Sequence, residues 1–176
     1  PDLRKRSAEE VCALDCPGYA IGGVSVGAGK ELQREMVDMP APLLPEEKPR
    51  YLMGVGTPGD ILFAVSRGVD LFDCVLPTRN ARNGMLFTSA GPLVIKQARY
   101  AEDPLPPDEK CGCPTCRSFS SAYLRHLYLQ REILSSMLLT VHNLHFYAKW
   151  MESIRQAILV GNFGGFMKES PDSALD

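Results

Sequence analysis

Residues 51–76, YLMGVGTPGDILFAVSRGVDLFDCVL, contain two apolar runs separated by a helical segment. The first run covers residues 51–55 and the second covers residues 69–76. Between them, Thr57-Pro58-Gly59-Asp60 is a helix start and Gly68 is a helix stop. Strands that are apolar along their whole length are typical of a parallel sheet covered by helices on its faces. This stretch therefore predicts a strand–helix–strand unit of an α/β fold.

The preceding residues extend the same pattern toward the N-terminus. Residues 19–23 (YAIGG) predict another buried strand, residues 31–39 a helix, and residues 2–14 an amphipathic helix. Gly22-Gly23, Gly54 and Asp73 fall at the C-terminal ends of the three strands, the edge where parallel α/β folds build their sites. Because a closed eight-stranded barrel takes about 250 residues, three such units predict either a small open sheet or the end of a barrel.

Composition limits the class of protein. The chain has 176 residues, 45% of them hydrophobic and 23% charged, with a net charge of -2. These values fit a globular protein with one real core and exclude a strongly basic nucleic-acid-binding surface, though not a local basic patch. No apolar run reaches the roughly 18 residues that span a bilayer, and no signal peptide opens the chain.

The cysteines and the first residues add two further expectations. Three of the six cysteines are at metal-ligand spacing and the others are scattered, which favours a reducing, cytoplasmic location over a disulfide scaffold. A chain that opens with Pro1, inside a predicted helix and without an initiator Met, is expected to be a fragment of a longer protein, with processing as the alternative.

A metal site is the strongest chemical signal. Cys111, Cys113 and Cys116 form a C-x-C-x2-C cluster, and His142 follows in a long helical run. Three thiolates and an imidazole complete a closed tetrahedron around zinc, which is typical of a structural site. His145 is three residues from His142 and shares much of the same helix face, so spacing alone leaves the fourth ligand open.

The region around the metal cluster is predicted to be a hairpin followed by helices. Residues 84–88 and 92–96 are predicted strands joined by a turn at residues 89–91. Helices are expected from about residue 117 to 131 and on through residue 158, with Gly161 as the stop. Residues 168–176 have the composition of a frayed tail.

Asp73, Arg79 and Arg82 are the candidates for chemistry outside the metal cluster. A carboxylate buried in an apolar strand is costly unless it is paired or functional, although Asp73 can also simply cap a turn at the strand end. Arg79 and Arg82 lie in a predicted loop that can bind phosphates or be merely solvated. Gly23 and Gly54 allow close approach of a flat ligand, or serve turn geometry only.

Four motifs together resemble one family. They are YAIGGVSVG (19–27), YLMGVG (51–56), LFDCVLPTRNARNG (71–84) and the C-x-C-x2-C cluster with its distant His. Across residues 1–165 they are similar to the tRNA-guanine transglycosylases, which exchange a guanine in tRNA for a 7-deazaguanine base. The family fold is a TIM (β/α)8 barrel with a zinc subdomain inserted after the last strand. The resemblance implies that the three strands are barrel strands six to eight.

The resemblance also implies a division of the chain. Residues 1–101 would be the C-terminal part of the barrel with its hairpin, and residues 102–145 the zinc subdomain. Residues 146–165 would form a final helix that packs on the barrel, and residues 166–176 a flexible tail. The first half of the barrel, with a second aspartate that handles protons, would lie outside this chain. Residues 1–176 alone are therefore expected to be inactive.

Functional residues follow by resemblance, position by position. Asp73 matches a nucleophile that forms a covalent aspartyl-ribose intermediate, as in retaining glycosidases, with no ATP or redox cofactor. Arg79 and Arg82 match tRNA-binding residues. The residues that match the base-binding pocket are Gly23, Val24, Tyr51, Met53 and Gly54. The residues that match the ligands of one structural Zn2+ per chain are Cys111, Cys113, Cys116 and His142. An aromatic cluster that matches the homodimer contact consists of Phe119, Tyr123 and His126, which can also simply pack within the zinc subdomain.

The resemblance favours the bacterial branch. Val26 stands where eukaryotic enzymes tend to have Gly, so the implied partners are tRNA with a wobble guanine and 7-aminomethyl-7-deazaguanine. The main alternative is a non-catalytic, tRNA-binding or dimer-forming subunit of the same family, against which the intact FDCVLPTR motif with Asp73 argues. A zinc-stabilised interaction domain is a weaker alternative.

Overall fold

The computed structural model describes residues 2–24 and 29–170. The chain divides into two compact units, the first ending at Cys74 and the second beginning at Val75. In the part of the chain that the structure describes, every helix is too short or too polar to cross a bilayer. The six cysteines all lie in the described ranges, and none of them forms a disulfide.

The first unit is built around a parallel three-stranded sheet. Its strands are β1 Tyr19–Ile21, β2 Arg50–Leu52 and β3 Leu71–Phe72, in the order β1-β2-β3. Both pairings are parallel, with Ile21 opposite Leu52 and Leu52 opposite Phe72. Helices α1 Asp2–Cys12, α2 Lys30–Asp38 and α3 Pro58–Val65 and the 3-10 helix Ala41–Leu43 complete the unit. The predicted parallel α/β arrangement is confirmed.

The helix between β2 and β3 begins where the sequence predicts. Thr57 is the N-cap of α3, and its hydroxyl accepts a hydrogen bond from the Asp60 backbone N–H at 3.1 Å. Pro58 occupies the first turn, where a missing N–H is tolerated. The helix packs against a core that includes Ile21, Leu52 and Val69, all of them at most 3% exposed.

The third strand is much shorter than predicted. Instead of running to residue 76, β3 ends at Phe72, and Leu76 begins a new helix, α4 Leu76–Arg82. Pro77 lies in the first helical turn, where its fixed φ favours a helix and not a strand. The apolar run therefore changes from strand to helix within the motif, a change that hydrophobicity alone does not indicate.

The second unit combines a hairpin with helices. The hairpin pairs β4 Met85–Thr88 with β5 Gly91–Val94, antiparallel, with Met85 opposite Val94. Leu86, Leu93 and Ile95 from the hairpin form one core with two helical leucines. The remaining elements are the 3-10 helix Ala98–Tyr100, α5 Pro114–Ser118, α6 Ser121–Leu129, α7 Ile133–Leu159 and α8 Phe163–Glu169.

Asn143 explains why the hairpin belongs with the helices. It is fully buried on α7, and its Oδ1 accepts from the Phe87 backbone N–H at 3.1 Å. Its Nδ2 donates to the carbonyl oxygens of Pro77 (2.9 Å) and Met85 (3.0 Å). The predicted boundary between residues 101 and 102 accordingly does not coincide with the division between compact units, which falls after Cys74.

The C-terminal boundaries also differ from the prediction. Residues 146–165 are not a separate helix, because α7 is continuous over 27 residues and ends before Gly161, whose φ is +71°. Helix α8 crosses residue 166, where the tail was predicted to begin, and the rings of Trp150 and Phe166 are 5.4 Å apart. The remainder of the predicted tail, residues 171–176, lies outside the described residues.

Candidate active site and metal site

Asp73 lies directly after β3, at the C-terminal edge of the parallel sheet. Its Oδ1 accepts two hydrogen bonds, from the Tyr51 hydroxyl at 2.6 Å and from the Gly54 backbone N–H at 2.9 Å. Both donors come from β2 or the turn after it, so the parallel pairing of β2 with β3 creates the arrangement. The expectation of a buried carboxylate is wrong, because β3 ends at Phe72 and leaves Asp73 exposed.

The hydrogen bonds favour the ionised form of the Asp73 carboxyl group. The Tyr51 hydroxyl, followed by the Gly54 N–H, holds the pKa of Asp73 below its usual value. The same bond to Asp73, with a smaller contribution from burial, raises the pKa of Tyr51. Asp73 is therefore an anion at neutral pH and Tyr51 a neutral donor, and a carboxylate can act as a nucleophile only in the ionised form.

Gly54 can make its contact because of its backbone. Its φ is +71°, in the left-handed region, which turns the chain after β2 and directs its N–H at Asp73. A residue with a Cβ would be strained in this conformation. The glycine that sequence reasoning assigned to a flat ligand or a turn therefore has a direct role at the carboxylate.

The predicted base-binding residues fall at the same edge of the sheet. The Met53 side chain is 46% exposed, and a Cβ at Gly22 would lie 3.8 Å from its sulfur. Gly23 follows β1 with a φ of +73°, while the Val24 side chain is buried. Val24 is 1% exposed as a whole residue, so its role in reading a base stays a prediction. Val26, on which the choice of branch depends, lies outside the described residues, as do the rest of residues 25–28.

Arg79 and Arg82 lie on a helix and not in the predicted loop. They occupy the last turn of α4, and both side chains are exposed. Residues three apart share a helix face, so the two guanidinium groups form a small basic surface. The change from loop to helix follows from Pro77 at the start of α4.

The second unit contains a compact metal-binding group. The three cysteine sulfurs and one imidazole nitrogen all lie within 4.8 Å of one another. His142 Nδ1 is 3.7, 3.6 and 3.2 Å from the sulfurs of Cys111, Cys113 and Cys116. Ordinary zinc–sulfur and zinc–nitrogen bond lengths give a sulfur–nitrogen separation of about 3.5 Å in a tetrahedron. The donor set therefore fits a structural zinc, and the fourth ligand is His142, not His145.

Each ligand is positioned by its local structure. Cys113 is the N-cap of α5, and its sulfur accepts a hydrogen bond from the Cys116 N–H at 3.4 Å. His142 is fully buried on α7. Burial raises the pKa values of Cys111 and Cys116 and lowers that of His142. A bound cation supplies the positive charge that buried thiolates need.

Sequence reasoning missed the residue that shapes the loop before the cysteines. Asp108 is 8% exposed and accepts hydrogen bonds from the Ser89 N–H (2.8 Å), the Ser89 hydroxyl (2.9 Å) and the Lys110 N–H (3.0 Å). It therefore joins the hairpin turn to the segment that carries Cys111. Its surroundings, a stretch rich in Pro and acidic residues, have no periodicity that distinguishes one carboxylate from another.

The predicted aromatic cluster is only partly at the surface. The rings of Phe119 and Tyr123 are stacked at 5.3 Å. Phe119 packs against the core of the second unit, whereas Tyr123 is 40% exposed and His126 is also exposed. Phe119 therefore contributes to internal packing, and the role of Tyr123 and His126 in a dimer stays a prediction.

The fold and the two sites define a class of protein. Its first unit is a parallel α/β unit with an ionised carboxylate at the C-terminal edge of the sheet, and its second unit has a four-ligand site that fits zinc. The sequence model of the queuine tRNA-ribosyltransferase family matches residues 1–173. The chain belongs to this family.

Curated relatives named queuine tRNA-ribosyltransferase agree with the family match. The protein of Dinoroseobacter shibae is 56% identical over 165 residues, which are 94% of this chain and 44% of the relative. That of Caldanaerobacter subterraneus is 58% identical over 89% of this chain and 42% of its own length. The Bacillus pumilus protein is 52% identical over 96% and 44% respectively. The chain thus spans just under half the length of the curated relatives it matches.

Proposed function

We propose that this chain supplies the nucleophile, part of the base-binding pocket and the zinc subdomain of a tRNA-guanine transglycosylase. The reaction exchanges guanine at the wobble position of tRNA for a 7-deazaguanine. One observation carries the proposal: the Asp73 carboxylate is ionised and exposed at the sheet edge. The Tyr51 hydroxyl and the Gly54 N–H both donate to the same oxygen of this carboxylate. Family membership supports it.

In the proposed mechanism Asp73 attacks the ribose carbon that carries the guanine. The carbon–nitrogen bond breaks, and the ribose becomes an ester of the Asp73 carboxyl group. An incoming 7-deazaguanine then displaces the carboxylate and restores a glycosidic bond. Two successive displacements at one carbon are the chemistry of retaining glycosidases, in which a carboxylate stores the sugar as a covalent intermediate.

A base reaches this carboxylate only if it leaves the tRNA stack, and stacking in the pocket offsets the cost of extrusion. Met53, 46% exposed beside Gly22, has the exposure and polarisability to pack on a flat ring. The backbone groups of Gly23, Val24 and Gly54 would read the base edges, and Tyr51 would form part of the wall. The sequence at Val26 favours the small aminomethyl-deazaguanine precursor over bulkier queuine.

Two surfaces of the second unit would serve the tRNA and a second subunit. Arg79 and Arg82 present adjacent guanidinium groups that suit phosphates. Tyr123 and His126 would contribute to a homodimer through the zinc subdomain. In this proposal β1, β2 and β3 are strands six to eight of a TIM barrel, and the enzyme works in the cytoplasm on tRNA.

Trapping of the covalent intermediate tests the function. Whole protein carrying this sequence is incubated with wobble-guanine tRNA and labelled guanine, and adducts are resolved on a denaturing gel. Asp73→Asn should bind tRNA but form no adduct and incorporate no label. Asp15→Asn, which changes an exposed carboxylate elsewhere in the first unit, should behave like wild type. Exchange at the wild-type rate by Asp73→Asn would overturn the mechanism, and tRNA binding without exchange by wild type would favour the non-catalytic subunit.

A further inference from the structure

Tyr51 and Asp73 form a close side-chain pair at the candidate active site, and the geometry of the pair is asymmetric. The Tyr51 hydroxyl is 2.6 Å from Asp73 Oδ1, and the Gly54 N–H is 2.9 Å from the same oxygen. Neither donor binds Oδ2. In a carboxylate held in this way, the lone pairs of Oδ1 accept hydrogen bonds, and Oδ2 is the oxygen that can form a new bond.

We propose that Tyr51 is a positioning residue that assigns the two oxygens of Asp73 different roles. Oδ2 bonds to the ribose, and Oδ1 keeps its hydrogen bonds from Tyr51 and Gly54 throughout the catalytic cycle. The inference rests on the proposed function of Asp73 as nucleophile. It goes further because Tyr51 would change the relative rates of the two half-reactions, in addition to lining the base pocket.

In the first half-reaction, an Oδ2 lone pair forms a bond to the ribose carbon. The bond from that carbon to guanine nitrogen breaks, and the nitrogen keeps the electron pair and takes up a proton from a general acid. Asp73 becomes an ester, and Oδ1 becomes its carbonyl oxygen. In the second half, the ring nitrogen of the incoming base loses its proton to a general base and bonds to the carbon, and the electron pair of the carbon–Oδ2 bond returns to the carboxylate.

Tyr51 affects these halves in opposite ways. A hydrogen bond to a carboxylate is stronger than one to a neutral carbonyl, so Tyr51 stabilises the free carboxylate more than the ester. Its hydroxyl therefore makes Asp73 a weaker nucleophile in the first half and a better leaving group in the second. Loss of the hydroxyl should slow ester breakdown relative to ester formation, on the order of tenfold for a lost bond to a charged group.

The same bond sets the pH range of the nucleophile. Asp73 attacks only when deprotonated, so exchange falls as pH drops through its pKa. Tyr51 is the largest influence that lowers the pKa of Asp73. Its removal raises that pKa, and the acidic limb of the activity profile moves to higher pH.

Tyr51→Phe in the whole protein tests the proposal, with Tyr19→Phe as the matched control. Tyr19 lies on β1 of the same sheet, and its hydroxyl is near the Cys12 carbonyl at 3.4 Å rather than a carboxylate. Single-turnover assays with wobble-guanine tRNA measure adduct formation and breakdown separately. Tyr51→Phe should accumulate covalent adduct and shift the acidic limb upward, whereas Tyr19→Phe should do neither.

Equal slowing of both halves by Tyr51→Phe, with an unchanged acidic limb, would overturn the inference. A second measurement stands apart from catalysis: Asp73→Asn should return the raised pKa of Tyr51 toward its ordinary value in an NMR titration without tRNA. An ordinary Tyr51 pKa in the wild type would also overturn the inference. Absence of exchange by the wild type would instead overturn the proposed function, so the two failures are distinguishable.

Discussion

The Nε2 atom of His142 lies 2.7 Å from the backbone carbonyl oxygen of Phe87. Because a carbonyl only accepts, Nε2 carries the proton and Nδ1 is the nitrogen that faces the three sulfurs. The hairpin strand β4 therefore fixes the tautomer and the direction of the metal-binding imidazole. Metal binding and hairpin docking are coupled through one side chain.

His142→Ala and His145→Ala form a matched pair that tests this arrangement. His142→Ala should lose zinc and loosen the hairpin, because both the ligand and the bond to Phe87 disappear. His145→Ala should keep about one zinc per chain, since the four-ligand set does not include it. Elemental analysis and hydrogen exchange at residues 85–94 measure the two effects, and retention of zinc by His142→Ala would contradict the assignment.

Asn143 should be one of the residues on which the second unit depends most. Asn143→Ala removes the side-chain partner of three backbone groups, at Phe87, Pro77 and Met85, of which the Phe87 N–H is buried. Unsatisfied buried polar groups and the cavity together should lower the free energy of unfolding by about 2–4 kcal/mol. Denaturant titration measures the loss, with exposed Asn83→Ala as the control. Equal stability of the two variants would show that the hairpin does not need the side chain.

The sequence predicted features that come from periodicity and local chemistry. The parallel strand–helix–strand order and the helix start at Thr57 are examples, because apolar runs and capping residues act over a few positions. The choice of His142 as the fourth metal ligand came only from the resemblance to the family, since His145 shares much of the same helix face.

The remaining features depend on contacts between distant residues. Tyr51 reaches Asp73 across 22 positions and Asn143 reaches Phe87 across 56, distances at which no local pattern operates. The end of β3 was also missed, because the apolar run continues without a break into α4 and only Pro77 marks the change. Short polar side chains on an apolar helix face, such as Asn143, are a signal that sequence reasoning had available and did not use.

Arg50 is a buried cation in the first unit, at 6% exposure. Its guanidinium group donates to the Leu44 carbonyl and, at 3.3 Å, to the Pro45 carbonyl. Arg50→Met keeps the apolar stem but removes the guanidinium donor from both carbonyls, so the first unit should lose about 1–3 kcal/mol of stability. Arg6→Met, on the exposed face of α1, is the control. An unchanged thermal unfolding temperature of Arg50→Met would show that the guanidinium group does not stabilise the first unit.

Arg79 and Arg82 should act on tRNA binding through charge. Each phosphate contact that is lost should weaken binding to all wobble-guanine tRNAs alike and reduce the slope of log K against log salt by about 0.7–0.9. Arg79→Ala and Arg82→Ala are therefore compared across a salt series, with the exposed Arg155→Ala on α7 as the control. Because neither arginine is proposed to touch the ribose, adduct breakdown in single-turnover assays at saturating tRNA should stay at the wild-type rate. An unchanged salt slope in the double variant Arg79→Ala/Arg82→Ala would show that this helical face does not meet the tRNA backbone.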